Sequence, residues 1–300
     1  EWMCRHPHTL RINPHGVHRP RRVVPLSCAE RPRRQQTPGR SRMYDYQTFP
    51  RSRPVSRVLC IANRKGGVGK TTTAINLSTA LARAGSKTLL VDLDPQCNAT
   101  TGLGHEPCDQ HPLLRSDSLR DSLLTTRTST LDLLPGSRRF QDVETLASAT
   151  NGETATLKAH LTRGTTSYDF VLIDCPPSLG PLTQTALSCS TEVVMPIQCE
   201  YFAMEGLTQM IRVIGDVMQQ QPGRLEFGGI LLTMYDHSLE LTHEVDDEVR
   251  EFFGDIVFDT VIPRDVAVSE APSHGKSVLE HAARSRGTRA YIELCMEVLD

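Results

Sequence analysis

Five apolar runs punctuate the chain: Val58-Leu59-Cys60-Ile61-Ala62, Thr88-Leu89-Leu90-Val91, Phe170-Val171-Leu172-Ile173, Val193-Val194-Met195-Pro196-Ile197 and Gly229-Ile230-Leu231-Leu232-Thr233. None alternates with polar residues, as a half-exposed strand would. Continuous apolar strands are covered on both faces, which is the pattern of a parallel sheet. Between them the period changes. Ala74, Leu77, Leu81 and Ala84 recur at helical spacing, and Gly85 stops that helix. Leu207, Ile211, Ile214 and Met218 mark a second amphipathic helix; Leu241, Val245, Val249 and Phe252 mark a third. Strands alternating with helices predict an α/β fold, a mostly parallel twisted sheet with helices on both faces. In such sheets ligands bind beyond the carboxyl ends of the strands.

Those carboxyl ends carry the chemistry. The first run leads into Arg64-Lys65-Gly66-Gly67-Val68-Gly69-Lys70-Thr71-Thr72. The phosphate-loop pattern is Gly, four residues, then Gly-Lys-Ser/Thr. Arg64 takes the first glycine slot, and Lys65 stands beside it. Glycines at 66, 67 and 69 let backbone N–H groups turn inward, and a helix N-terminus completes an anion cradle. Lys70 is expected on the β- and γ-phosphates of a bound nucleotide, Thr71 on Mg2+ and Thr72 on the α-phosphate. The second run ends in Asp92-Leu93-Asp94-Pro95-Gln96, where Asp94 is placed to position an attacking water. The third ends in Asp174, a carboxylate after four apolar residues that suits the Mg2+ shell. Thr71, Asp94 and Asp174 thus form the expected metal set. An aspartate at a strand-to-helix junction also serves as a helix cap. The phosphate loop upstream favours the catalytic reading.

Composition divides the chain. Of its 33 basic and 35 acidic residues, ten and two fall in residues 1–42, leaving 23 and 33 for residues 43–300. The basic segment has six prolines and no hydrophobic period, so residues 1–56 read as a disordered Arg/Pro-rich extension before a domain over 57–300. A nucleic-acid-binding arm and a transit peptide are alternatives. The favoured reading is an extension upstream of a start at Met43. Nine cysteines show no Cys-x-x-Cys pair, which argues against a zinc or redox motif and suits a reducing cytoplasm. No stretch reaches the apolar length of a membrane span.

These residues resemble the ParA/Soj family of partitioning ATPases, the deviant Walker A branch of P-loop NTPases, over about residues 57–297. The resemblance rests on Ile61-Ala62-Asn63 with the loop, Val91-Asp92-Leu93-Asp94-Pro95-Gln96 and Ile173-Asp174-Cys175-Pro176-Pro177-Ser178-Leu179-Gly180. It continues in Glu200-Tyr201-Phe202-Ala203-Met204-Glu205-Gly206-Leu207, Leu232-Thr233-Met234-Tyr235-Asp236 and Ser269-Glu270-Ala271-Pro272-Ser273-His274-Gly275-Lys276. It implies an ATP-dependent homodimer in which Lys65 reaches the partner subunit's ATP, with Lys65, Lys70 and Asp94 catalytic. It implies non-specific DNA binding, a ParB-type centromere-binding partner that stimulates hydrolysis, and a cytoplasmic protein that sits on the nucleoid when ATP-bound. Pro263 and Asp265 are expected near the adenine.

The chain departs from the family pattern at three places. Cys97 replaces a common glycine, while Ser238 and Ala267 stand where relatives carry arginines linked to DNA. Non-specific DNA affinity rests on Lys and Arg contacts to phosphate, so each lost arginine weakens it. Arg284, Arg286 and Arg289 cluster near the C-terminal helix, where a solvated helix face is the plainer reading. A MinD-like ATPase that positions a membrane or protein cargo is the alternative function. It needs a basic amphipathic C-terminal helix, and Ile292–Asp300 is acidic, so no membrane partner is expected. An iron–sulfur scaffold needs a close cysteine pair. A metabolic ligase needs a substrate pocket that no motif announces.

Overall fold

The computed structural model describes residues 56–114, 119–139, 159, 161–162, 166–200, 203–220 and 222–300. The extension expected over 1–56 lies outside these residues, Ser56 excepted. Among the described residues seven strands form one sheet: β1 (Arg57–Ile61), β2 (Thr88–Asp92), β3 (Leu124–Thr125), β4 (Leu131–Leu134), β5 (Phe170–Asp174), β6 (Glu192–Gln198) and β7 (Glu226–Thr233). Their order is β3-β4-β2-β5-β1-β6-β7, and every pairing is parallel except β3 with β4. The five predicted strands are β1, β2, β5, β6 and β7.

Alternate residues of each strand feed two cores, one on each face. Cys60, Val91 and Ile173 belong to one; Leu59, Ile61, Leu90 and Leu172 belong to the other. All seven are fully buried. Burying a Leu or Ile side chain contributes about 1.5–3 kcal/mol, so these central strands fix the frame that holds the loops at their ends.

Helix α1 (Lys70–Arg83) packs between the sheet and the C-terminal helix, which explains why its whole circumference is apolar or small. Ala74, Leu77 and Leu81 are buried as their spacing predicts, and Gly85 turns the chain at φ +96°. The remaining helices are α2 (Asn98–Gly102), α3 (Pro181–Cys189), α4 (Ala203–Gln220), α5 (Glu240–Phe253), α6 (Val266–Glu270), α7 (Val278–His281) and α8 (Arg286–Leu299). Helix α5 forms as predicted, with Val245 and Val249 inward, but the ends of the expected stripe turn outward and Thr242 completes the buried face. Thr242, Val245 and Val249 are buried, while Leu241 and Phe252 are 42% and 73% exposed.

The sheet order places the candidate site. β1 lies between β5 and β6, so the loop leaving β1 opens between Asp174, the last residue of β5, and the residues that follow β6.

Candidate active site

The chain leaves β1 at Ile61 and enters α1 at Lys70. Between them Gly67 and Gly69 take φ of +74° and +88°, left-handed values that a side chain resists. Gly66 does not, so two glycines rather than three shape the turn. Side-chain hydrogen bonds tie the loop to neighbouring strands at both ends. The Asn63 Oδ1 accepts the Lys65 N–H at 3.0 Å, and its Nδ2 donates to the Pro196 carbonyl in β6 at 2.8 Å. The Thr233 hydroxyl, at the end of β7, lies 2.9 Å from the Val68 carbonyl and 3.0 Å from that of Ile197. The first-turn N–H groups of α1 therefore face a turn that is already formed.

The two lysines behave differently. Lys70 is 6% exposed, and its Nζ donates to the Lys65 carbonyl at 3.0 Å. Burial pushes its pKa down, while Asp174, Asp94 and Cys175 pull it up. Lys65 reaches outward, and its Nζ lies 2.9 Å from Glu200 Oε2, just beyond β6. That pair is 37% and 48% exposed at its side chains. Gln198 donates to the other Glu200 oxygen.

Two aspartates, Asp174 and Asp94, converge on Lys70. Asp174 is fully buried, and neither carboxylate oxygen has a partner; the Thr71 hydroxyl faces it without closing a bond of ordinary geometry. Burial, with the Asp92 charge next in size, raises its pKa well above the usual carboxylate range. Asp94 is 5% exposed and accepts the Gln96 N–H at 2.9 Å. Burial raises its pKa as well, opposed by the Gln96 bond and the Lys70 charge.

Asp92 has a different task from its neighbour. Its carboxylate accepts the Thr100 N–H at 2.8 Å, the Thr100 hydroxyl at 2.6 Å and the Asp94 N–H at 3.2 Å. It thereby ties α2 to the end of β2. Burial, despite those bonds, pushes its pKa up to about 6. Cys97 starts α2 at φ 54°, in the left-handed region, which is the physical reason a glycine suits this position. The thiol is buried and faces Gly136, where an added Cβ would come 2.9 Å from Asp92 Cγ and 3.1 Å from Cys97 Sγ.

Thr71, Asp94 and Asp174 are thus brought together beside Lys70, and Thr72 follows in the same turn. Among the described residues no cluster of three or more His, Cys, Asp or Glu side chains could hold a metal unaided. Mg2+ does not need one, because it keeps water and takes phosphate oxygens beside one or two carboxylates. The buried, unpartnered Asp174 carboxylate fits that role.

Pro263 and Asp265 stand at the same end of β7. Pro263 bridges Tyr235, and the Arg264 N–H bonds the Tyr235 carbonyl at 2.9 Å. Asp265 caps α6, accepting the Ala267 N–H at 3.0 Å and the Gly287 N–H at 2.8 Å. Each of its oxygens thus accepts one backbone N–H. Nearby, Ser238 bonds the Asp236 carboxylate through its N–H and hydroxyl. Those bonds, then Arg264 and Arg286, hold the Asp236 pKa down. Arg286 and Arg289 line a cleft of about 690 Å³ with His237 and Pro263.

Glu200, Asn63 and Thr233 carry site roles that no spacing announced. Glu200 is 135 residues from Lys65, and only the adjacency of β1 and β6 joins them. The available signal was their place as polar residues at the ends of apolar runs.

Comparison with known proteins fits this geometry. A family model described as an AAA domain matches residues 56–227. The sporulation initiation inhibitor protein Soj of Bacillus subtilis is 43% identical over 249 residues, 81% of this chain and 98% of that protein. The chromosome partitioning protein ParA of Caulobacter vibrioides is 46% identical over 250 residues, 81% and 94% of the two chains. A crystal structure of cobyrinic acid a,c-diamide synthase from Mycobacterium smegmatis, with bound ADP and magnesium, superposes with a TM-score of 0.69 at 34% identity, covering 80% of this chain and 93% of that one.

Proposed function

The chain belongs to the Soj/ParA family of chromosome-partitioning ATPases, and from that premise we propose that it is an ATP-driven dimerising switch that holds DNA without sequence preference. It hydrolyses ATP to ADP and phosphate. A ParB-type centromere-binding partner stimulates that step and releases the DNA. The protein works in the cytoplasm and sits on the nucleoid while ATP-bound.

One observation carries this reading: the loop holds one lysine inward and one outward. Lys70 occupies the phosphate side of its own loop. Lys65 is held away from it by Glu200, through an exposed pair worth about 0.2–1 kcal/mol. Triphosphate from a second subunit offers Lys65 a denser negative charge, so Lys65 changes partner at little cost. Mg2+, when bound, neutralises charge on the phosphate oxygens. Thr71 and Asp174 would hold it, and the ion resolves the unpaired buried carboxylate. Asp94 holds the attacking water, with its own position fixed by Asp92 and Thr100.

DNA contact falls to Arg264, Arg286 and Arg289, the exposed arginines gathered around Ser238 and Asp236. The test is DNA co-sedimentation with ATP, ADP and no nucleotide across a salt series. Retention with ATP alone, fading as salt rises, is expected. Protein that binds ATP yet leaves DNA in the supernatant at low salt would overturn the DNA half of the reading.

The mycobacterial neighbour supports a second reading, an amide-forming ligase on the same fold. ATP turnover that requires a carboxylic acid and an amine donor, and ignores DNA, would favour it.

A further inference from the structure

Residues 236–259 contain nine acidic side chains and a single basic one, Arg250. Residues 43–300 hold 23 basic and 33 acidic residues, so this short stretch carries most of their negative excess. Five of the acids, Glu240, Glu244, Asp247, Glu248 and Glu251, are exposed on α5, and none pairs with a base among the described residues. Arg250 is taken up by Asp246 at 2.6 Å and Asp259 at 3.9 Å. The outer face of the helix is therefore uncompensated.

That face is not only acidic. Leu241 and Phe252 are 42% and 73% exposed. Eleven positions apart, they fall on the same edge of the helix, about 16 Å from one another along its axis. The inward face is already used by Thr242, Val245 and Val249. A solvated surface helix needs neither large apolar side chain, and together with the acids they form an amphipathic stripe.

Charge narrows what can cover it. Nucleic acid and anionic bilayers are repelled. A second copy docking by twofold symmetry would set the same acids against each other. A cationic protein segment is attracted at long range and meets apolar anchors at contact. We propose that the outer face of α5 is a docking surface for an arginine- or lysine-rich amphipathic segment of a partner protein, anchored on Leu241 and Phe252. The inference stands apart from the ATP and DNA reading, since none of these residues touches the phosphate loop.

The test uses the full chain and a synthetic helical peptide of about 16 residues, with arginines along one face and two leucines eleven positions apart. Fluorescence anisotropy at low salt reads the binding. The Glu244→Lys/Glu248→Lys variant is expected to weaken it about tenfold or more, and Phe252→Ser about fivefold. ATP turnover without the peptide stays unchanged. A photo-crosslinking phenylalanine analogue at position 252 is expected to label the peptide. Equal affinity in the charge-reversed variant, or for a peptide of the same charge lacking the leucines, would overturn the proposal. So would labelling of a second copy, or of residues 1–42, in place of the peptide.

Discussion

The two halves of the phosphate loop are held in opposite ways. In the second half Lys70 is buried, bonds the loop's own carbonyl, and is surrounded by Asp174 and Asp94. In the first half Lys65 is exposed, and its charge is tied to Glu200 on a neighbouring strand end. Desolvation makes the first arrangement hard to leave, because a displaced Lys70 would strip compensation from buried carboxylates. Solvent screening makes the second easy to leave. The same side chain is thus fixed to its own site in one case and available to another molecule in the other.

Removing Lys70 should have the largest effect. Lys70→Ala is expected to weaken ATP and ADP alike by about 2–5 kcal/mol, 30-fold or more, as loss of a buried charged partner does. Titration with a fluorescent nucleotide measures it. A loss confined to ATP would erase the distinction between the lysines. Lys65→Ala should leave ADP affinity within about twofold and lower ATP turnover about 100-fold or more, the scale of losing one transition-state donor. Equal loss of ADP affinity would place Lys65 in its own subunit's site.

Glu200→Gln is the finest test. It frees Lys65 from a pair worth at most about 1 kcal/mol, so ATP-dependent association should strengthen by up to about fivefold. The gain should vanish at about 1 M salt, where exposed charges are screened. Weaker association would mean that Glu200 helps to present Lys65 rather than to restrain it.

The central frame was legible because buried parallel strands read as unbroken apolar runs. β3 and β4 were not: Leu124–Thr125 is two residues long, and Leu131–Leu134 is interrupted by Asp132. The loop, Thr71, Asp94 and Asp174 could be placed because each sits at the end of such a run. Asp94 was singled out from the sequence, but the task of Asp92 was not, since only the fold shows Thr100 and Gly136 closing over it. Asp265 was expected near the adenine, and the fold adds a local task that the sequence did not announce, the cap of α6. The Leu241 and Phe252 spacing marked a helix correctly but sat a quarter-turn from the buried stripe, which Thr242 completes.

That Lys65 acts across a dimer can be tested most directly by measuring particle mass. Asp94→Ala should stop hydrolysis while leaving ATP bound. Analytical ultracentrifugation of that variant with ATP, ADP and no nucleotide is expected to show a doubled mass with ATP alone, lost when Lys65→Ala is added. A single mass in all three conditions, or an ATP dimer that survives without Lys65, would contradict the account.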